Sequence, residues 1–326
     1  MLCYPEEFMD YLLETGKNVY IPIKHDREYF LEVLTEENKR DISVGGFRPV
    51  DPIKLLLFPA RTDVLNIVEP VETIIFGVNN CDLQAIDFLD RALLGDYPDP
   101  HYLEVREHTL LIGIDCGEIK ESCHCVLQGY EPYPEGVCDL AVSEVGGMFV
   151  LRENSEKGKA LLEDFSKHYR VLEETPGIDW VIEKNRESIR EELMRLNSGW
   201  SVSSHVRERK LKVSREAVDS CIECGGCNFV CPTCYCFLLS DESREAHFSK
   251  VRAWDACQLK GYARVAGGGN PRDALYERFN HRYACKFTYT VRQFRISACT
   301  GCGRCIDVCP AGIDIRTTTR KLAIEK

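Results

Sequence analysis

The first 200 residues alternate between two hydrophobic periods. Residues 72–78 and 109–114 are short apolar runs of the kind that form buried strands. Between them, Leu83, Ile86 and Leu89 recur at helical spacing. This order predicts a strand–helix–strand unit, which is typical of α/β folds.

The rest of this half continues the alternation. Residues 140–145 and 148–151 are apolar runs joined across two glycines, which predicts a β-hairpin. Residues 156–169 and 178–196 carry apolar side chains on one face and predict two helices. We therefore expect an N-terminal α/β domain over residues 1–200.

A second domain is expected over residues 201–326. The boundary lies in residues 198–215, which have linker character. Residues 241–259 and 272–283 predict helices, and a glycine-rich loop separates them. The whole chain is therefore predicted to be an α+β protein whose second domain is α-helical.

Composition agrees with a globular chain of two domains. Of the 326 residues, 44% are hydrophobic and 29% are charged, which excludes general disorder. No run approaches the roughly 18 apolar residues of a membrane helix. The first residues lack a basic segment followed by an apolar one, so we expect no secretory signal and a cytoplasmic location.

Cysteines and charges are distributed unevenly between the halves. Twelve of the 18 cysteines follow residue 200, and the net charge of −11 divides into −19 for residues 1–200 and +8 for residues 201–326. Cytosolic thiols stay reduced, and a chain of this size does not need disulfides to fold. Metal binding is therefore the first interpretation of the cysteines.

Two segments of the second half share one cysteine spacing. The first is Cys221-x2-Cys224-x2-Cys227-x3-Cys231-Pro232, and the second is Cys299-x2-Cys302-x2-Cys305-x3-Cys309-Pro310. This is the spacing of bacterial ferredoxins, in which the fourth cysteine ligates the [4Fe–4S] cluster of the other run. Zinc is the alternative, but zinc sites usually pair two Cys-x2-Cys units across roughly 12–20 residues.

We predict two [4Fe–4S] clusters with crossed ligand sets. The first set is Cys221, Cys224, Cys227 and Cys309, and the second is Cys299, Cys302, Cys305 and Cys231. Because such clusters are anionic, we expect the positive charge of this half to compensate them. The candidate cations are Arg252, Arg264, Arg272, Arg278, Arg282, Lys286, Arg292, Arg295 and Arg304.

A third metal site is possible in the first half. Cys81 and Cys116 follow the two predicted strands, and Cys123 and Cys125 lie in the next loop. The carboxyl ends of strands in open α/β sheets meet at one edge, so these four thiols are predicted to converge there. They would hold a third [4Fe–4S] cluster or a zinc ion; the alternative is that they are small buried hydrophobes.

Six cysteines remain outside these sets. Cys234 and Cys236 lie so close to the first run that a ligand role is an alternative, but buried packing is the favoured interpretation. The six are Cys3, Cys138, Cys234, Cys236, Cys257 and Cys285.

Sequence motifs of other activities are absent. The chain has no GxGxxG that opens a helix after a strand, no phosphate-binding loop of the GxxxxGK[ST] type and no nucleophile motif. We therefore predict no catalytic residue. A chain with electron carriers and no reaction centre is expected to dock onto other proteins.

Several segments resemble known families. The layout of the two cysteine runs resembles the α-helical ferredoxin arrangement of succinate dehydrogenase iron–sulfur subunits and heterodisulfide reductase small subunits. Residues 231–237 (CPTCYCF), 254–257 (WDAC) and 266–272 (AGGGNPR) resemble the β subunits of soluble sulfhydrogenases, which are group 3 nickel–iron hydrogenases, and the iron–sulfur subunit of anaerobic sulfite reductase. The sequence departs from that family at Asn79-Asn80, His124, Cys138 and Cys285.

The resemblance implies an electron-transfer subunit of an anaerobic oxidoreductase complex. Its partners would be a flavin- and NAD(P)-binding subunit, or a ferredoxin, and a catalytic subunit of the nickel–iron hydrogenase or sulfite reductase type. No membrane or nucleic acid is expected as a partner. A self-sufficient iron–sulfur oxidoreductase is the alternative, and a nucleic-acid-binding protein with structural clusters would need a contiguous basic patch.

Overall fold

The computed structural model describes residues 1–42, 44–66, 69–200, 218–244 and 247–324. The predicted domain boundary lies largely outside the described residues, because residues 201–217 are not among them. Within the described ranges, no helix has the length and apolarity needed to cross a bilayer.

The first half is built on a seven-stranded mixed sheet. Its strand order is β1-β8-β7-β6-β5-β2-β3, with β2, β5, β6 and β7 parallel to one another and the outer strands antiparallel. The strands of this sheet are β1 (Leu2–Cys3), β2 (Asn18–His25), β3 (Glu28–Val33), β5 (Thr73–Val78), β6 (Thr109–Ile114), β7 (Leu140–Val145) and β8 (Met148–Glu153).

A smaller sheet joins the two halves of the sequence. Strand β4 (Arg61–Asp63) pairs with β10 (His247–Trp254), which pairs in turn with β9 (Phe237–Arg244), both times in antiparallel orientation. A strand from the first half of the sequence thus adds a third strand to a hairpin from the second half.

Helices cover both faces of the large sheet. On one face, Phe8 and Phe165 from two helices pack edge-to-face with ring centroids 5.4 Å apart. On the other face, Phe88 and Tyr102 are fully buried. The helices of this half are α1 (Pro5–Glu14), α2 (Lys54–Leu57), α3 (Asn80–Leu93), α4 (Pro100–Glu107), α5 (Glu156–His168) and α6 (Ile178–Leu196).

The second half adds short helices around the cysteine runs. A π-helical turn, Cys285–Tyr289, continues α8 into α9. The helices of this half are α7 (Gly226–Phe229), α8 (Leu275–Ala284), α9 (Thr290–Phe294), α10 (Arg304–Asp307) and α11 (Ile315–Ile324).

Most elements predicted in the first half are confirmed. The predicted strand–helix–strand unit is β5, α3 and β6, and the predicted hairpin is β7 and β8. The two predicted helices are α5 and α6. The helix predicted at residues 272–283 also exists, as α8.

The prediction of a helix at residues 241–259 is wrong. These residues form most of the hairpin of β9 and β10, followed by a loop. The side chain of Arg252 in β10 is buried, its guanidinium carbon lies 4.1 Å from the centre of the Phe58 ring, and it forms an ion pair with Asp99. An inward-facing arginine interrupts the apolar alternation that would have indicated a strand.

A buried ion pair connects the second cysteine run to the first half. Asp82 in α3 accepts two hydrogen bonds of 2.7 Å from the guanidinium of Arg304 in α10, and the two side chains are 0% and 2% exposed. Arg304 also donates through Nε to the carbonyl of Pro49 at 2.9 Å. Paired donors and acceptors of this kind offset the cost of removing both charges from water.

We predict that Asp82→Asn lowers the free energy of unfolding by about 3–5 kcal/mol, because it leaves the Arg304 charge buried without a counter-ion. Chemical denaturation of the anaerobically purified chain would measure the change. Asp87→Asn is the matched control on the same helix. Asp87 pairs with Arg91, which is 47% exposed, so this variant should lose no more than about 1 kcal/mol. Equal effects of the two variants would contradict a structural role for the buried pair.

Candidate metal centres

The first cysteine cavity is lined by the ligand set predicted for the first cluster. Cys221, Cys224, Cys227 and Cys309 surround it, and Cys305 contributes to its wall. Cys224 is exposed, and the neighbouring side chain of Ile222 is 65% exposed. This cavity therefore lies at the protein surface.

The second cysteine cavity is lined by the other predicted set. Cys231 meets Cys299, Cys302 and Cys305 there. Cys299 and Cys302 are each 9% exposed. The fourth cysteine of each run thus lies in the cavity of the other run, which is the crossed arrangement expected of two-cluster ferredoxins.

The two runs fold into the same backbone turn. In the second run, Gly301 and Gly303 have φ of 71° and 77°; at the equivalent places of the first run, Glu223 and Gly225 have φ of 58° and 70°. A Cβ at Gly301 would lie 2.5 Å from the backbone of Cys125, so only glycine fits. The left-handed Glu223 is held by Arg278, which donates to its carboxylate at 2.5 Å.

Buried cations lie against both cavities. Arg282 lines both of them and donates from Nη2 to the carbonyl of Cys227 at 3.0 Å. Its buried Nε has no hydrogen-bond partner among the described residues. Lys286 lines the second cavity and donates to the hydroxyl of Thr233.

The donors at these cavities fit iron–sulfur clusters. Five thiols line the first cavity and four line the second, and neither Arg282 nor Lys286 forms an ion pair with a carboxylate of the described residues. Although burial opposes the charge of Lys286, the sulfurs of Cys231, Cys234 and Cys285 raise the pKa of its ammonium well above the usual value. Anionic clusters held by thiolates would supply the missing counter-charge.

The four cysteines predicted for a third site lie close together. Cys81 and Cys116 follow the parallel strands β5 and β6 at one edge of the sheet, as expected. Burial raises the pKa of all four thiols, to about 12 for Cys116, and they are electrostatic neighbours of one another. Thiols in such surroundings stay protonated unless a metal binds them.

The third cysteine group contacts the second run directly. The backbone N–H of His124 donates to the carbonyl of Gly301 at 2.8 Å, and Arg48 donates to the carbonyl of Cys302 at 2.7 Å. The Cys302 sulfur is an electrostatic neighbour of Cys81 and Cys123. The loop that carries Cys123 and Cys125 therefore packs directly against the second run, close to the sulfur of Cys302.

His124 adds a polar atom to this contact. Burial lowers the pKa of its imidazole to about 4, so the ring is neutral at physiological pH. Its Nδ1 lies 2.9 Å from the carbonyl of Ser122, and its buried Nε2 has no hydrogen-bond partner among the described residues. His124 also lines the second cavity.

None of these groups is arranged for a single metal ion. Among the described residues, no three His, Cys, Asp or Glu side chains lie close enough together to bind one ion. The cysteines instead surround spaces between them, as at the two cavities.

Sequence reasoning missed several charged residues of these sites. Lys54 is 2% exposed and donates to the carbonyl of Cys234 at 2.8 Å, and Arg48 forms an ion pair with Asp307. The signal that could have identified Lys54 is its position as a lone cation in the apolar segment 52–58. Nothing comparable marks Arg48.

The comparisons with known proteins agree with this arrangement. The sequence profile of the 4Fe-4S dicluster domain matches residues 220–313. Sulfhydrogenase 2 subunit beta of Pyrococcus furiosus is 29% identical over 331 residues, which cover 95% of this chain and 93% of the relative. A solved structure of the F420-reducing [NiFe] hydrogenase complex from Methanosarcina barkeri aligns with 57% of this chain and 84% of that chain at 15% identity. Its TM-score of 0.35 is too low to support an argument about the fold.

The chain is thus an iron–sulfur protein whose residues 220–313 match a 4Fe–4S dicluster domain. The resemblance to sulfhydrogenase β subunits, expected from its motifs, is confirmed over nearly the whole length. The likeness to the sulfite reductase protein, the number of clusters and their individual ligands stay predictions.

We predict that Cys81→Ala and Cys125→Ala each remove about four iron atoms per chain, the content of one cubane. Iron and sulfide analysis of the anaerobically purified variants would measure the loss. Cys138→Ala is the matched control, because Cys138 is 3% exposed and lies outside the three groups. Iron near eight per chain in the wild type and in all three variants would exclude a third cluster.

Lys286→Met is expected to lower the reduction potential of the cluster in the second cavity, because it removes a buried positive charge that favours the reduced, more negative state. Redox titration followed by EPR would measure the shift. Lys260→Met is the control, since the Lys260 side chain is 56% exposed. An unchanged potential in Lys286→Met would show that this charge does not act on the cluster.

Proposed function

We propose that the chain is the electron-transfer iron–sulfur subunit of a multi-subunit anaerobic oxidoreductase of the hydrogenase type. The observation that carries this proposal is the series of cysteine groups from the surface to the sheet. The first cavity opens beside the exposed Cys224, the second adjoins it and is lined by the buried Cys299 and Cys302, and the third group contacts the second. A series of carriers at increasing depth suits electron transfer between two partners.

Shared side chains support electron transfer between the first two cavities. Arg282, Cys305 and Ile315 line both cavities, so the two spaces adjoin across these side chains. Clusters bound there would exchange single electrons, which is the chemistry such groups supply. The protein would bind, space and electrostatically tune them.

The location of the positive charge argues against a nucleic-acid partner. The basic residues that give the second half its charge include several that are less than 10% exposed, so they do not form a basic surface. These residues are Arg252, Arg278, Arg282, Lys286, Arg304 and Arg316.

The partners follow from the relative and from the exposed end of the series. The relative is named as subunit beta of a sulfhydrogenase, so it functions in an assembly. We propose that a flavin- and NAD(P)-binding subunit, or a ferredoxin, and a catalytic subunit of the nickel–iron or sulfite reductase type are the partners here. The exposed Ile222 lines the first cavity, and the exposed Val308 lies beside Gly226 in the first run, so we propose that one partner docks on this apolar surface.

The isolated chain, purified without oxygen, is expected to accept one electron per cluster from dithionite and to show no sustained turnover of hydrogen or sulfite. Stoichiometric titration with EPR detection and turnover assays would test this. Sustained turnover by the chain alone would instead favour a self-sufficient oxidoreductase. Absence of iron would overturn the proposal.

Ile222→Glu should slow electron exchange with the partner at least several-fold, because a charge at a docking rim opposes association, and it should leave the iron content unchanged. Stopped-flow reduction of the chain by its flavin partner would measure the rate. Tyr97→Glu is the matched control, since Tyr97 is 94% exposed and belongs to the first half. Equal rates in both variants would place the docking surface elsewhere.

A further inference from the structure

Four cysteines outside the three groups come together between the two ferredoxin runs. Cys236 directly precedes β9, and Cys257 follows β10 by three residues. Antiparallel pairing brings these ends together, and the N–H of Asp255 donates to the carbonyl of Cys236 at 2.9 Å. The sulfurs of Cys236 and Cys257 are electrostatic neighbours.

The other two members arrive from different segments. Asn228 in α7 places its Nδ2 3.3 Å from the sulfur of Cys257 and 3.9 Å from that of Cys234. Cys285 begins the π-helical turn after α8 and is an electrostatic neighbour of Cys236 and Cys257. The Asn228 amide and the hairpin base therefore bring Cys234, Cys236 and Cys257 together, and Cys285 faces them from a third segment.

A buried cation faces this group separately from those at the ferredoxin cavities. Lys54 is 2% exposed, and its Nζ lies 4.0 Å from the centre of the Trp254 ring and 2.8 Å from the carbonyl of Cys234. It forms no ion pair with a carboxylate in the described part of the chain. A buried ammonium is costly without a counter-charge, and the nearest acidic groups are the sulfurs of Cys234, Cys231 and Cys236.

We propose that Cys234, Cys236, Cys257 and Cys285 bind an additional iron–sulfur cluster. Four cysteine thiolates are the ligand set of both [2Fe–2S] and [4Fe–4S] clusters. Asn228 donates to the sulfurs of Cys257 and Cys234, and the Tyr262 hydroxyl is an electrostatic neighbour of Cys236. Lys54 supplies the counter-charge.

The position of the group favours a cluster over a structural zinc ion. The sulfur of Cys234 is an electrostatic neighbour of that of Cys231 in the second cavity, and Gln258, next to Cys257, accepts a hydrogen bond of 2.8 Å from the sulfur of Cys227 in the first cavity. The additional group therefore borders both ferredoxin cavities. The choice of iron over zinc rests on the proposed electron-transfer function, since an additional carrier extends the same series.

Cys236→Ala and Cys285→Ala are expected to remove two or four iron atoms per chain from the anaerobically purified protein, according to the cluster type. Mössbauer spectroscopy and EPR should show one signal lost and the signals of the dicluster domain retained. Cys3→Ala is the matched control; Cys3 is fully buried in the sheet core, and its replacement should leave the iron content unchanged.

Two variants, Cys236→Ala and Cys285→Ala, are used so that a folding defect in one does not prevent the test. Cys285 lies in a π-helical turn rather than in the hairpin, so a folding defect of Cys236→Ala does not extend to Cys285→Ala. Folded variants with unchanged iron, or with one zinc lost instead of iron, would overturn the additional cluster. A wild-type chain without iron would overturn the proposed function itself, whereas iron retained in full by both variants would overturn only this inference.

The role of Lys54 has a separate readout. Lys54→Met should lower the potential of the additional signal more than those of the dicluster domain, because Lys54 donates to the carbonyl of Cys234 and lines neither ferredoxin cavity. Redox titration of the full chain would measure both. Equal shifts of all signals would contradict a specific contact between Lys54 and the additional site.

Discussion

The ion pair between Asp82 and Arg304 determines where the cysteine groups lie relative to one another. Asp82 follows Cys81 in the chain, and Arg304 precedes Cys305, so one interaction aligns the sheet edge with the second ferredoxin run. Both charges are excluded from water, so separating the two side chains would leave each charge buried without a counter-ion.

Short sequence patterns were sufficient to predict the elements and motifs that form from neighbouring residues. The hydrophobic periods of the β5–α3–β6 unit and the spacing of the two cysteine runs can each be recognised within a short segment. The structure places those segments as expected. The hairpin of β9 and β10 could not be recognised in this way. Its inward-facing Arg252 depends on Phe58 and Asp99, which are distant in sequence, and its third strand comes from the other half.

The charged residues that lie at the cysteine sites could not be predicted from the sequence either. The +8 of the second half suggested compensation of anionic clusters, and Arg282 and Lys286 do lie at the cavities, but Arg252 and Arg304 are instead neutralised by carboxylates. Lys54 belongs to the acidic half and faces cysteines of the basic half. Charge totals over a sequence segment therefore indicate how many ions a fold must neutralise, and tertiary contacts decide which ones pair.

The crossed cysteine sets also bear on how the chain unfolds. Each cavity joins the start of one run to the last cysteine of the other, so a bound cluster would close the whole intervening segment, including the hairpin, into a loop. A cross-link of this kind restricts the unfolded chain, and its effect grows only slowly with loop length. Because either cluster alone would keep this segment closed, the unfolded chain would regain its full conformational freedom only after both clusters were lost.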